Sequence, residues 1–287
     1  MPDFPVVSVL MTAYNRANFI REAIESVIAS TYKEWELIIV DDCSKDDTLS
    51  IARSYELNDR RIRVYQNEQN LGDYPNRNKA ASFAKGEWIM YVDSDDKINA
   101  DALDYLSKTF KGNTIINYAC IYEYDDLTIP TYLDPIESIR FNYYKKQILN
   151  IGPGGSAFRT AFFKQLGGFP VKYGPANDMY FNLLCANQTG VLLLPYNYLF
   201  YRIHENQEMN NKYAYIHYGY SYFNDFMKNE VPGLTKTEKE ILITKNKRRF
   251  LLSSINYLGL EKDLNGFLRL FKLTKFNLND ILKAVFN

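Results

Sequence analysis

Asp93-Ser94-Asp95-Asp96 sets three carboxylates within four residues, directly behind the apolar run Trp88-Ile89-Met90-Tyr91-Val92. A strand ending in clustered acids carries negative charge to the edge of a sheet, where it is unfavourable unless a cation offsets it. Hard divalent ions take oxygen ligands and commonly bridge to phosphates. The cluster therefore points to Mg²⁺ or Mn²⁺ and a phosphorylated substrate. Two plainer readings compete. Acidic triplets also occur in solvated turns, and Asp93, Asp95 and Asp104 stand at the first, third and twelfth places of an EF-hand loop. The EF-hand fails on Lys97 at the fifth place, on Ile98 where the turn needs Gly, and on the preceding strand.

The elements that must position these acids alternate clearly. Val6 to Met11, Leu37 to Val40, Ile62 to Tyr65 and Glu87 to Val92 read as buried strands. Between them lie helical patterns. The first is capped by Asn18, with Phe19, Ala23, Ile24, Val27 and Ile28 on one face; the second is capped by Asp46 or Asp47 and runs through Tyr55; the third runs to Ala84 with Gly86 as its stop. Buried strands interleaved with amphipathic helices predict an α/β fold with a parallel, doubly wound sheet. Ligands of such sheets sit outside the carboxyl ends of the strands. Those ends here are Thr12 to Arg16, Asp41 to Ser44, and Asp93 to Asp96. Three polar clusters converging on one edge weaken the solvated-turn reading.

Farther along, 111–149 is strand-rich and aromatic, with no order that the pattern reveals. Glycine-bearing turns at Gly152 to Ser156 and Gly167 to Pro170 flank a short helix from Arg159 to Leu166. Asn177-Asp178 opens a helical run containing Met179, Leu183, Leu184 and Ala186, and Tyr198 to His204 reads as a strand. From Lys212 onward the pattern is helical, ending in an amphipathic segment over 276–286.

Composition narrows the function. Thirty-four basic and 34 acidic residues balance, so no global charge favours nucleic acid. The tail from Lys236 is different, with eleven Lys/Arg against five Asp/Glu. Its run Lys245, Lys247, Arg248, Arg249, followed by Phe250-Leu251-Leu252, suits an anionic membrane surface. The plainer alternative is a helical appendage packed on its own domain or on a second copy as a homodimer. Twenty-four Tyr and 18 Phe supply core and also flat walls that suit sugar rings. Cys43, Cys120 and Cys185 have no paired spacing, which argues against disulfides and zinc and fits a reducing compartment. The N-terminus lacks a signal pattern, and runs such as Val191 to Leu194 are far too short to span a bilayer. A cytoplasmic protein is expected, free or held at the inner face of the cell membrane.

Val7 to Leu106 resembles the catalytic domain of family 2 glycosyltransferases, which have the GT-A fold. The blocks that carry the resemblance are Ser8 to Arg16, Ile38-Ile39-Val40-Asp41-Asp42 with Ser44, Asn70-Leu71-Gly72 with Arg77-Asn78, and Gly86-Glu87-Trp88-Ile89 leading into Asp93 to Asp96. Weaker blocks follow at Gly154-Gly155-Ser156, Gly167-Gly168-Phe169, Asn177-Asp178 and Arg202-Ile203-His204. The resemblance implies a GT-A domain over 1–210, with a nucleotide-binding half over 1–106 and an acceptor half over 107–210. A C-terminal helical region follows over 211–287. It further implies that Asp42 meets a uracil N–H, that Thr12 and Tyr14 frame the base, and that Asn15, Arg16, Arg77 and Ser94 belong to the nucleotide site. Asp93 would approach the ribose, while Asp95, with Asp96 and His204, would hold Mn²⁺ or Mg²⁺. A histidine bonded to backbone at a strand end is the competing reading of His204. Asp178 matches the family's base, against a first-turn helix acid favoured by the dipole. Gly154, Gly155 and Ser156 fall on the acceptor side.

Some positions depart from the family. Asn177 replaces an acid, and Cys43 stands where Gly or Asn is common, read here as a packed, inert thiol. No Gln-x-x-Arg-Trp stretch is present, a hallmark of the polymerising members. The implied activity is thus inverting and non-processive. One sugar would move from a nucleotide-diphosphate sugar, a UDP-sugar above all, to a saccharide or lipid-linked saccharide in bacterial surface-polysaccharide synthesis. A nucleotidyltransferase would need a Gly-rich loop that Thr12 to Arg16 lacks, and a receiver domain would place its acid pair after the first strand. A non-catalytic sugar- or partner-binding module on the same scaffold is the other alternative.

Overall fold

The computed structural model describes residues 6–124, 126–203 and 211–274. The predicted alternation is present: β1 (Val7–Ala13), α1 (Ile20–Ile28), β2 (Trp35–Asp41), α2 (Thr48–Glu56), β3 (Ile62–Gln66), α3 (Asp73–Phe83) and β4 (Trp88–Tyr91). Then come β5 (Lys97–Ile98), α4 (Ala102–Phe110), β6 (Tyr118–Ile121), β7 (Thr131–Leu133), α5 (Pro135–Tyr144), β8 (Ser156–Arg159) and α6 (Thr160–Gln165). The chain continues with α7 (Asn177–Thr189), β9 (Val191–Leu194), β10 (Leu199–Phe200), α8 (Lys212–Met227), α9 (Lys236–Glu261) and α10 (Leu264–Thr274).

Eight strands form one sheet in the order β3-β2-β1-β4-β8-β6-β9-β7. The first four are parallel, as expected. Beyond them the sheet is mixed, because β8 runs antiparallel to both β4 and β6 and β7 closes the far edge antiparallel to β9. A separate ribbon pairs β10 with β5 just past the acidic cluster. It holds only Leu199–Phe200 of the longer strand expected there.

Side chains alternate across the sheet and divide the core in two. Val7, Val9, Met11, Leu37, Ile39, Trp88 and Met90 face α1 and α4. On the opposite face Leu10, Ile38, Val40, Ile89 and Tyr91 meet Phe158, Phe163, Phe169 and Phe181. Phe223, Phe226, Met227, Val231, Leu234 and Leu242 join this second core, so α8 and the start of α9 complete it. The boundary expected near residue 210 does not separate two cores. Among the described residues no helix is long and apolar enough to cross a membrane. The amphipathic segment expected over 276–286 lies outside the described residues.

Local details refine the expected boundaries. Phe19, not Asn18, is the residue before α1, and the Arg16 carbonyl accepts from the Phe19 and Ile20 N–H groups. Asp46 rather than Asp47 accepts from Thr48 at the start of α2. Helix α5 begins with a reciprocal cap between Asp134 and Glu137 and has Pro135 in its first turn, a legible signal within the segment that had no predicted order. Gly86 does not stop α3; it is a point of close approach. Its N–H donates to Ser8 Oγ at 2.8 Å, and Ser8 Oγ donates to buried Glu36 at 2.5 Å. A Cβ at residue 86 would lie 2.6 Å from the Ser8 backbone nitrogen. Gly86→Ala should therefore destabilise the fold by about 1–3 kcal/mol through overpacking, read as a lower urea midpoint with an unchanged slope.

Candidate active site

The carboxyl ends of β1, β2 and β4 open onto a cleft of about 480 Å³. Parallel strands deliver these ends to one edge, so residues distant in sequence share its wall. Thr12, Tyr14, Arg16, Asp42, Arg77, Asp93, Ser94, Asp95 and Asp178 all line it.

Each acid of the β4 cluster has a different anchor. Asp93 accepts from Arg77 Nη1 at 2.6 Å, and the same buried guanidinium donates Nε to Asp73 at 2.8 Å. Asp95 accepts from Arg16 Nε at 2.9 Å, while Arg16 Nη1 donates to the Tyr14 and Asn15 carbonyls. Buried Asp96 accepts from the backbone N–H of Arg202 at 2.9 Å, just past β10. Burial pushes the Asp96 carboxyl up to about 7. Ligand oxygens of Asp93, Asp95 and Asp96 lie within 4.8 Å of one another. An all-oxygen set of this size fits a hard divalent cation.

Asp42 is gripped by the loop after β3. Its Oδ1 accepts from Asn67 Nδ2 at 2.6 Å and the Leu71 N–H at 2.8 Å, and its Oδ2 from the Gly72 N–H at 2.9 Å. Asn76 ties this loop to β2 by accepting from Asn67 and donating to the Val40 carbonyl. Asp178 sits in the first turn of α7, where Oδ1 accepts from the Met179 N–H at 2.7 Å. Burial raises its carboxyl to about 7, opposed by that N–H and by the charge of Arg77.

Not every expected site residue reaches the cleft. Asn15 instead bridges two loops, its N–H donating to Ser44 Oγ and its Oδ1 accepting from the Lys45 N–H. Its positive φ of 53° turns the side chain into that role. Ser94 lines the cleft, but its hydroxyl is used to tie β4 to the Thr12 carbonyl. Gly154, Gly155 and Ser156 are buried behind the wall, packed on Leu199, Ile151 and the sheet; Gly152 and Pro153 stand at the surface of the cleft in their place. His204 lies outside the described residues. Cys43 adopts a left-handed φ of 64°, the conformation for which Gly or Asn is better suited. Asp73, Tyr74, Tyr201 and Tyr215 also line the cleft. Of these only Asp73, four residues before Arg77 on one helix, had a sequence signal.

The sequence model described as Glycosyl transferase family 2 matches residues 8–167. Over 100 residues the chain is 43% identical to the putative teichuronic acid biosynthesis glycosyltransferase TuaG of Bacillus subtilis, a stretch covering 35% of this chain and 40% of that protein. It is 26% identical over 254 residues, 87% of this chain and 97% of the relative, to the UDP-Glc:alpha-D-GlcNAc-diphosphoundecaprenol beta-1,3-glucosyltransferase WfgD of Escherichia coli. Among solved structures, S. aureus TarS 1–349 in complex with UDP matches at a TM-score of 0.71 and 22% identity, covering 97% of this chain and 80% of that one. This likeness establishes the fold as GT-A.

The raised Asp178 carboxyl has a sign that stability measurements read directly. Its folded pKa of about 7 lies above the ordinary 3.8. Its contribution is therefore fully present below about pH 4 and is lost as pH rises through 7. Asp178→Asn keeps the acceptor oxygen for the Met179 N–H and removes the charge. The variant should melt above the wild type at pH 8, with the gap closing toward pH 4.

Proposed function

The chain belongs to glycosyl transferase family 2, and on that premise we propose that it transfers a single sugar from a UDP-sugar, with inversion. The acceptor is a hydroxyl of a saccharide or lipid-linked saccharide, in the assembly of a bacterial surface polysaccharide. The observation that carries this reading is Asp178, a buried carboxyl raised to about 7 on the wall shared with Asp42, Asp93 and Asp95. An acid so tuned is matched to take a proton near neutral pH. The name of WfgD, with its UDP-Glc donor and diphosphoundecaprenol-linked acceptor, and the UDP complex of TarS support the donor and acceptor classes. Family membership sets aside the nucleotidyltransferase reading.

In the displacement the acceptor oxygen forms a bond to the anomeric carbon as the bond from that carbon to the diphosphate breaks. The hydroxyl proton passes to the Asp178 carboxylate, and the nucleoside diphosphate leaves with the bonding pair. Asp93, Asp95 and Asp96 would hold Mn²⁺ or Mg²⁺, which when bound offsets the charge of the departing diphosphate. Arg16 and Arg77 hold Asp95 and Asp93 in place and moderate their repulsion. Asp42 uses three of its roughly four lone-pair positions on the loop, leaving Oδ2 able to accept one N–H of a uracil. Tyr14, 42% exposed at the cleft, offers a ring for the base.

Asp178→Asn should lower transfer about 10²–10⁴-fold, the usual worth of a general base, with UDP affinity within about twofold of wild type. Because the base acts ionised, wild-type kcat/KM should fall about tenfold per pH unit below 7. Wild-type rates in Asp178→Asn would overturn the base assignment. In thermal-shift titrations UDP with Mn²⁺ should stabilise the protein more than GDP does. Chelation should remove transfer, and Asp95→Asn should raise the cation concentration needed to restore it. A preference for GDP would exclude the uracil role of Asp42.

A further inference from the structure

A second cavity, of about 580 Å³, opens between α5, α7, α8 and α9. It adjoins the cleft: Tyr215 lines both, and Met179 of the second cavity follows Asp178 of the first. The basic run of the tail resolves here into two groups. Leu242, Lys245, Asn246, Arg249, Phe250 and Ser253 recur at helical spacing and line the cavity, whereas Lys247 and Arg248 are not on its wall. Lys145 joins Lys245 and Arg249, so three cations surround the space, and no Asp or Glu lines it among the described residues. Arg249 donates to Asn246 Oδ1 at 2.9 Å and acts electrostatically on Tyr143 and Tyr222. The Tyr143 hydroxyl is buried there without a hydrogen-bond partner among the described residues. Such an atom is unfavourable in a folded chain unless a ligand or solvent meets it.

We propose that this second cavity binds the anionic part of the acceptor, a saccharide carrying phosphate or carboxylate, and so presents its hydroxyl to Asp178. The proposal rests on the transferase reading above. Aromatic walls take the faces of sugar rings, amides and tyrosine hydroxyls take their hydroxyl groups, and the three cations take the anion. The donor diphosphate belongs with Arg16, Arg77, Asp93 and Asp95, which line the cleft and not the second cavity. The acceptor's anion and the donor's diphosphate are thereby held in different cavities, with Asp178 lining the cleft and Met179 the second cavity.

The test uses three probes in the presence of UDP and Mn²⁺, with affinity read by calorimetry. They are a short-chain lipid diphosphate bearing N-acetylglucosamine, a glucuronate-containing disaccharide, and a neutral disaccharide of the same size. At least one anionic probe should bind ten times more tightly than the neutral one, and the one preferred identifies phosphate or carboxylate as the source of the charge. The exposed pair Lys145→Glu with Lys245→Glu should weaken that binding at least tenfold while UDP affinity stays within twofold. Lys245→Gln, which keeps much of the side-chain stem, should give a smaller loss in the same direction. Equal binding of anionic and neutral probes, or wild-type affinity in the reversed variant, would overturn the proposal. Failure of the wild type to bind UDP at all would instead overturn the donor reading.

Discussion

The site depends on keeping several carboxylates together at one edge of a sheet without letting their repulsion open it. The buried Arg77 guanidinium is central, because it bridges Asp73 and Asp93 with two different nitrogens. A charge removed from water is tolerated only when paired and hydrogen-bonded, and the two acids meet that condition. Arg16 does the same for Asp95. Backbone N–H groups hold Asp42, Asp96 and Asp178. Asp96 and Asp178 rise to about 7 where burial dominates, which separates groups suited to different roles.

The anchors also knit the fold. Arg202, just beyond β10, reaches back to Asp96, and β10 pairs with β5 immediately after the acidic cluster. Asn78 of α3 both donates to the Phe169 carbonyl and accepts from its N–H, and Tyr74 donates to the Pro175 carbonyl. These bonds hold the segment leading into α7, and hence Asp178, against α3. On the far side, Phe223, Phe226 and Leu242 share a core with Phe181 and Leu183 of α7. The C-terminal helices thereby support the helix that carries Asp178, and their inner faces wall the second cavity.

Much of the first hundred residues was legible because local signals agree there. β-branched runs mark β1 to β3, helical periodicity marks α1, and each strand ends in polar residues that have no place in a core. The mixed half of the sheet was not legible. β8 follows a glycine-rich turn and is only four residues long, so its apolar residues carry no distinguishable period. Helix α5 was available from Asp134-Pro135-Ile136-Glu137, a reciprocal cap hidden by the aromatic surroundings. Asp42, Asp93, Asp95, Arg77 and Asp178, expected from resemblance and strand position, all line the cleft. Asn15 was displaced from the cleft by its left-handed backbone, and Gly154 to Ser156 by burial, neither of which a motif records.

The sequence by itself determined the parallel half of the sheet, its carboxyl edge and the acids available there. It does so because strand ends and polar clusters are short-range properties of the chain. Only the tertiary structure decided which cation holds which acid, that Asp178 lines one cleft with residues about a hundred positions earlier, and that Lys245 and Arg249 line one cavity with Tyr143. Those pairings arise from burial and orientation across separate elements, and the electrostatic environment that tunes a carboxyl is a property of the packed whole.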